Sequence, residues 1–231
     1  MAKQTIRKNI LSKLLIALIL GLSFIGFLIV KHLSDERLAM PGHYVVDHVN
    51  QVAVDGKVQA DTVYHRMRDF QMRNQVDKPV TLANLDNKVT LVSFFSTRDT
   101  RVAPHLARIL LKVQRTFARS DSGLHILSIT TDPAYDTVGA LKAYADHYDA
   151  NHDIWWFLRG APGQASDIAA TDFQLTLERA DSTSAPYSST LVLLDKRDYV
   201  RGYYDAMDSA SMTRCVTAIS MLMLEPRKAT Q

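Results

Sequence analysis

Cysteine is nearly absent from this chain: among its 231 residues, only Cys215 carries a thiol. A single cysteine excludes an intramolecular disulfide, a CxxC redox pair and a cysteine-rich metal site. A strong charge bias is also missing, because the formal net charge is only +3, and nothing indicates nucleic-acid binding. Cys215 shares an apolar helical face with Met212 and Ile219. We therefore expect it to be a buried, inert thiol.

Charged residues are missing from residues 14–30, which form an almost wholly apolar run. As a helix this run is about 25 Å long, slightly short of a typical hydrocarbon core, and Lys13 can snorkel from its start. Basic residues precede it, so we expect residues 1–13 in the cytoplasm and the rest of the chain outside. A cleaved signal peptide is the alternative, but no small-residue cleavage site follows the run. The sequence predicts an uncleaved, single-pass membrane anchor.

The chain after the anchor divides by composition into a tether, a domain and a tail. Residues 31–43 are polar and read as the tether, residues 44–226 as one folded domain, and residues 227–231 as the tail. Asp55 and Gly56 lie between alternating apolar positions, which predicts a β-hairpin near the start of the domain. A second turn signal precedes residue 80.

Strands and helices then alternate. Apolar periodicity predicts strands at residues 89–95, 125–130, 155–158, 190–194 and 199–204. It predicts helices at residues 104–119, 138–148, 165–171 and 208–224, the last of them capped by Asp208. A βαβ unit followed by a helix, a hairpin and a closing helix resembles the thioredoxin-like fold. The expected architecture is therefore α/β, with a central mixed sheet flanked by helices and an N-terminal β-hairpin extension.

Three stretches of the domain resemble the Sco/SenC family, whose members are membrane-anchored thioredoxin-fold proteins that help to assemble the copper site of cytochrome oxidase. They are residues 69–89, residues 128–137 with 141–144 and 156–160, and residues 187–195 with 201–204. The most specific feature is an Asp-Pro-x-x-Asp-Thr signature formed by Asp132, Pro133, Asp136 and Thr137. The similarity covers about residues 62–224, and the N-terminal anchor also matches.

The resemblance implies copper ligands that this chain lacks. The family uses two cysteines in a Cys-x-x-x-Cys loop and a distant histidine. With Pro104 as the proline after the second cysteine, the cysteine positions hold Asp99 and Ala103, and the histidine position holds Tyr187 after Pro186. Cu(I) prefers thiolate or thioether ligands, and thiol–disulfide chemistry needs cysteine. We therefore expect no enzyme activity and no cofactor, with Tyr187 filling the vacated pocket beside the degenerate loop.

The other donors in the chain have ordinary explanations. The lone histidine on an opening helical turn is typical of a surface residue, histidines five apart miss the i,i+4 face of a helix, and methionines at helical spacing are typical of a core. These residues are His105, the pairs His43/His48 and His147/His152, and Met221 with Met223.

Two further patterns near the loop have alternative interpretations. Arg98 and Arg101 precede a helix, where backbone N–H groups and guanidinium groups can bind an anion; the alternative is a solvated loop paired with Asp99. The Asp132 and Asp136 signature has a structural explanation, because aspartate accepts backbone N–H groups at strand ends. Asp136 or Thr137 can cap the next helix.

The leading hypothesis is a non-catalytic Sco/SenC relative in a bacterial inner membrane, with its domain in the periplasm. It would act by binding a protein, such as a respiratory oxidase subunit or another assembly factor. One alternative is a copper chaperone or thiol-independent redox enzyme with substitute ligands. The other is a small-anion binding module at Arg98 and Arg101.

Overall fold

The computed structural model describes residues 18, 20–28, 41–54, 57–118, 123–179 and 184–226. The chain forms two compact units, Met1–Met40 and Pro41–Gln231. In the first unit the described residues are helical and exposed. Within the described ranges, no helix is both long and apolar enough to cross a membrane. The ends of the predicted anchor, the basic N-terminus, most of the tether and the tail lie outside the described residues.

The second unit is built on a five-stranded mixed sheet with the strand order β7-β6-β5-β8-β9. Its strands are β5 (Val89–Phe95), β6 (Leu124–Thr130), β7 (Trp155–Leu158), β8 (Thr190–Leu194) and β9 (Val200–Asp205). β5 to β7 are parallel, whereas β8 is antiparallel to both β5 and β9. Every residue of β5 and β6 is buried, as expected for central strands covered on both faces.

In the described part of this unit, four helices flank the sheet. They are α1 (Ala103–Phe117), α2 (Val138–His147), α3 (Gln164–Asp167), which continues into one π-helical segment (Ile168–Asp172), and α4 (Ser209–Leu224). One buried cluster joins residues of α1, α2 and α4 to Leu91 and Phe95 of β5. A second cluster, on the other face, joins the π-helical segment to Val92 and Phe94. Alternate residues of β5 thus face opposite cores, as the two-residue period of a strand requires.

Two hairpins precede the sheet. β1 (Val46–Val54) and β2 (Lys57–Tyr64) pair antiparallel, with Val54 opposite Lys57, so the predicted hairpin is present although its Asp55–Gly56 turn lies outside the described residues. β3 (Gln71–Arg73) and β4 (Pro79–Thr81) form the second pair around the predicted turn, followed by a 3₁₀ turn (Leu82–Leu85).

The structure confirms the predicted mixed α/β architecture and its order of elements. The prediction differs in detail at residues 165–171, where a single short helix was expected. Residues 164–172 instead form one α-helical turn and then a π-helical turn. Apolar periodicity does not distinguish these two, because a π turn differs by one added residue within the helical ladder.

Candidate functional site

The loop between β5 and α1 is organised by Asp99, one of the two expected cysteine positions. Its carboxylate accepts hydrogen bonds from the backbone N–H groups of Arg101 (2.9 Å), Val102 (3.2 Å) and Ala103 (3.0 Å). Of these three residues only Ala103 belongs to α1, and Val102 directly precedes it. Asp99 therefore closes the turn that leads into α1 and also satisfies the first N–H of the helix, which has no partner within the helix itself. Ala103, at the other cysteine position, is buried with only 2% of its surface exposed.

Arg98 pairs with the family signature. Its Nε lies 2.7 Å from Oδ2 of Asp132, and one terminal nitrogen contacts the same carboxylate. Its guanidinium also lies over the exposed ring of Tyr135, 4.9 Å from the centroid. The interpretation that paired this loop with Asp99 is therefore replaced by a pair with Asp132. Asp132 therefore offsets part of the charge that the small-anion alternative would use.

The second aspartate of the signature, Asp136, lies buried between the ends of β5 and β6. Its carboxylate accepts hydrogen bonds from the Thr97 backbone N–H (3.2 Å) and from the hydroxyls of Thr97 and Thr130. Thr137 then caps α2, accepting the N–H of Ala140 at 3.2 Å. Asp136 or Thr137 was expected to cap this helix, and Thr137 does so. Asp136 instead connects the loop after β6 to Thr97 in the loop after β5.

The segment carrying Tyr187 lies against the same edge of the sheet. The Thr131 hydroxyl donates to the carbonyl of buried Pro186 at 2.5 Å, and the Ser188 N–H donates to the carbonyl of Phe94 at 3.2 Å. Tyr187 lies between these two contacts, is half-buried, and exchanges backbone hydrogen bonds with Glu178 at 2.9 and 2.8 Å. The backbone on either side of the expected histidine position is thus held at the ends of β5 and β6.

The remaining loop candidates are not drawn into one cluster. Arg101 and His105 are exposed, and Pro104 is half-buried in the first turn of α1. Pro133 is buried, and its carbonyl accepts Nε of Arg159 at 2.8 Å.

The histidine pairs separate into unrelated contacts. His43 stacks on Tyr64, His48 pairs with Asp47, His147 packs edge-on against Tyr148, and His152 bonds Gln75. Cys215 has no exposed surface, and burial raises the pKa of its thiol to about 12. In the part of the chain that the structure describes, no three His, Cys, Asp or Glu side chains are placed to hold a metal ion.

The donor set at the expected ligand positions does not fit copper. The Asp99 carboxylate is occupied by backbone N–H groups, Ala103 has no donor atom, and Tyr187 offers a hard phenol oxygen. Cu(I) is bound by soft thiolate, thioether or imidazole ligands. We therefore derive no copper chemistry from these three positions.

Several residues of this edge were missed by sequence reasoning: Thr97, Thr130, Thr131, Tyr135 and Ser188. Threonine at or just beyond the end of a buried strand is an available signal, since the hydroxyls of Thr97 and Thr130 bond the same carboxylate. The pairing of Tyr135 with Arg98 depends on two loops that are 34 or more residues apart in the sequence, and no local pattern reveals it.

Comparison with known proteins shows which family this chain belongs to. The SCO1/SenC family model matches residues 58–223, whereas a search of curated proteins gave no match. A SCO1/SenC family lipoprotein from Bacillus anthracis has a similar structure, with a TM-score of 0.63 and 20% identity over 68% of this chain and 95% of that one. Copper-bound ScoI from Bradyrhizobium japonicum gives a TM-score of 0.55 at 20% identity, covering 68% and 97%. The soluble domain of Sco1 from Bacillus subtilis gives 0.52 at 21%, covering 68% and 91%. The chain belongs to the SCO1/SenC family.

Proposed function

We propose that this chain is a membrane-anchored, exported accessory factor for a respiratory cytochrome oxidase that acts by binding a protein, without a copper site of its own. Membership of the family supports a role near copper and respiratory oxidases, because copper-bound members such as the Bradyrhizobium japonicum and yeast proteins share the fold. BsSco, which has a similar structure, is a member of the Sco family of cytochrome c oxidase assembly proteins. The proposed location is the periplasmic side of a bacterial inner membrane.

The observation that carries the proposal is the new role of Asp99. Its carboxylate accepts three backbone N–H groups and so holds the turn that leads into α1. Its neighbour at the second position, Ala103, is buried against the core. These positions support the fold of the loop and provide no thiolate for metal binding or electron transfer. What remains at this edge is a surface suited to protein contact.

That surface has the composition of a binding site for a protein. Tyr135 is 55% exposed and is held in place by Arg98, whose orientation is fixed by Asp132. Tyrosine and arginine are enriched among the residues that dominate interface energies, and preorganised side chains lose less entropy on binding. We propose that Tyr135 and Arg98 contact the partner.

The test is purification of the tagged, full-length chain from detergent-extracted membranes of its own host, after mild cross-linking. We expect oxidase subunits or their assembly factors to co-purify, and deletion of the gene to lower the amount of assembled oxidase. The Tyr135→Ala variant should lose the partner while remaining folded. Asp153→Ala, which changes an exposed loop residue, is the matched control and should retain it.

Normal oxidase levels after deletion, together with no oxidase-related protein in the purified sample, would contradict this function. If Tyr135→Ala and Asp153→Ala retain the partner equally, the function stands but the contact surface is elsewhere.

A further inference from the structure

The outer surface of α1 carries basic side chains and no acidic ones. His105, Arg108, Lys112 and Arg115 follow at intervals of three or four residues and are all exposed. Such spacing places them on one side of a helix, within an arc of about 80° at the 3.6-residue period. We call these four residues the basic stripe.

Among the residues that the structure describes, most of this charge has no acidic partner. Arg115 lies 3.7 Å from Asp149 in an exposed pair, and Nε of Arg108 donates to the carbonyl of Pro104. Among the described residues, no ion pair is made by Arg108 or Lys112. An exposed ion pair is screened by water and salt, so the stripe retains a net positive field.

The other helices on this face add no net negative charge. α2 and α4 pack on the same buried cluster as α1; Asp146 of α2 is paired with Lys142 at 2.7 Å, and the only charged residue of α4 is Arg214. The exposed hydroxyls of α4 turn back onto the helix: Thr213, Thr217 and Ser220 each donate to the carbonyl four residues earlier, at 2.9–3.0 Å. Since these hydroxyls donate their protons internally, α4 presents a weakly polar ridge beside a cationic one.

The described part of the domain begins at Pro41, which is linked through Arg201 to the C-terminal end of α4. The carbonyl of Pro41 accepts two hydrogen bonds from Arg201, at 2.9 and 2.6 Å. Arg201 also contacts Glu225, the residue that follows α4. The twelve residues 29–40 separate Pro41 from the apolar helical residues 20–28. A chain of twelve residues reaches at most about 40 Å.

We propose that the face formed by α1 and α4 lies on an anionic membrane surface, with the basic stripe contacting lipid phosphate groups. This inference rests on the membrane tether of the proposed function and adds an orientation to it. A linear, cationic ridge without exposed aromatic anchors matches a diffuse layer of negative charge better than a shaped protein pocket. Pro41 shares Arg201 with Glu225, which follows α4, and the twelve residues before Pro41 are long enough in sequence to permit this face to rest on the bilayer.

The orientation would leave the Tyr135 edge free. β5 and β9 are parallel, because each is antiparallel to β8. α1 and α4 follow these strands and therefore both begin at the edge that carries Asp99 and Tyr135. When the two helices lie along the membrane, that edge points sideways, within reach of a neighbouring membrane protein.

The experiment uses the full-length protein reconstituted in two kinds of vesicle, pure phosphatidylcholine and a 7:3 mixture of phosphatidylcholine and phosphatidylglycerol. A spin label at Thr116→Cys, beside the stripe, reports its accessibility to a water-soluble relaxation agent; Cys215 is buried and stays unlabelled. We expect accessibility to fall several-fold only in the anionic vesicles, and to recover in high salt.

Lys112→Glu and Lys78→Glu form the matched pair of variants. Lys78 is exposed near β4, an element packed on the opposite core cluster. A basic residue near an anionic surface contributes roughly fivefold to binding, so reversing Lys112 should weaken adsorption on the order of 25-fold. Lys78→Glu should leave it unchanged.

Equal label accessibility in the two kinds of vesicle, with the protein still resistant to alkaline extraction, would overturn the inference and leave the tether intact. Release of the protein by alkaline extraction would instead refute the tether of the proposed function, and the inference with it. If Lys112→Glu abolishes capture of a protein partner while label protection persists, the stripe binds that protein and the inference is wrong.

Discussion

Replacing Asp136 with alanine tests whether this residue of the family signature holds the ends of β5 and β6 together. Its carboxylate has no exposed surface and accepts hydrogen bonds from one backbone N–H and two threonine hydroxyls. A hydrogen bond to a charged group contributes about 1.5–3 kcal/mol, and unsatisfied buried donors cost more. Relief of the buried charge offsets part of that loss. We expect the Asp136→Ala change to lower the free energy of unfolding by about 3 kcal/mol.

The assay is urea and thermal denaturation of the domain from residue 41 onwards. For a domain of this size, 3 kcal/mol corresponds to a fall in Tm of about 6–12 °C. Thr130→Val, which removes one of the three donors, should cost roughly a third as much. Asp153→Ala, at an exposed position, should stay within about 0.5 kcal/mol of the parent.

An unfolding free energy of Asp136→Ala within about 1 kcal/mol of the parent would refute this reasoning. The carboxylate would then not join the two strand ends, and the persistence of the signature in a chain without copper ligands would need another explanation.

Three further changes test other parts of the structure by denaturation. Burial lowers the pKa of His125 to about 4, below its value near 6.5 in the unfolded chain. The unfolded chain therefore binds the proton more tightly, and the free energy of unfolding should fall by about 3 kcal/mol as the pH drops from above 6.5 toward 4. His125→Phe, which can still pack on Trp156, should flatten that pH dependence, and an unchanged slope would contradict it. Asp99→Ala should cost about 1 kcal/mol through loss of the α1 cap, and Asp99→Asn less, because asparagine also caps; equal costs would argue against the cap. A Cβ at Gly202 would lie 2.6 Å from the ring of Tyr204, so Gly202→Ala should destabilise the domain by about 1–3 kcal/mol, and a neutral result would show that the ring moves freely.

The sequence was sufficient for the central sheet because its strands are marked by long apolar runs. β5 and β6 are buried along their whole length, and such runs stand out without tertiary information. Asp208 was likewise predicted as the cap of α4, and its carboxylate accepts the N–H groups of Ala210 and Ser211. Local patterns of this kind are complete within a few residues.

The candidate site was harder to predict from the sequence because its contacts join loops that are far apart along the chain. Thr97 meets Asp136 across 39 residues, and Arg98 meets Asp132 across 34. One interpretation of the loop paired its arginines with Asp99, the neighbour of Arg98 in sequence, but the Asp99 carboxylate binds the backbone N–H groups of Arg101 and Ala103. Which carboxylate a loop arginine reaches depends on the packing of both loops, and a single sequence does not specify that.

The most direct test of the central claim is a titration of the domain from residue 41 onwards with Cu(I) against a competing chelator. A chain whose ligand positions hold Asp99, Ala103 and Tyr187 should show no tight one-to-one binding. The triple variant Asp99→Cys, Ala103→Cys and Tyr187→His should gain affinity, because it restores soft ligands at these positions. One-to-one binding by the unmodified domain at sub-nanomolar affinity would contradict the account.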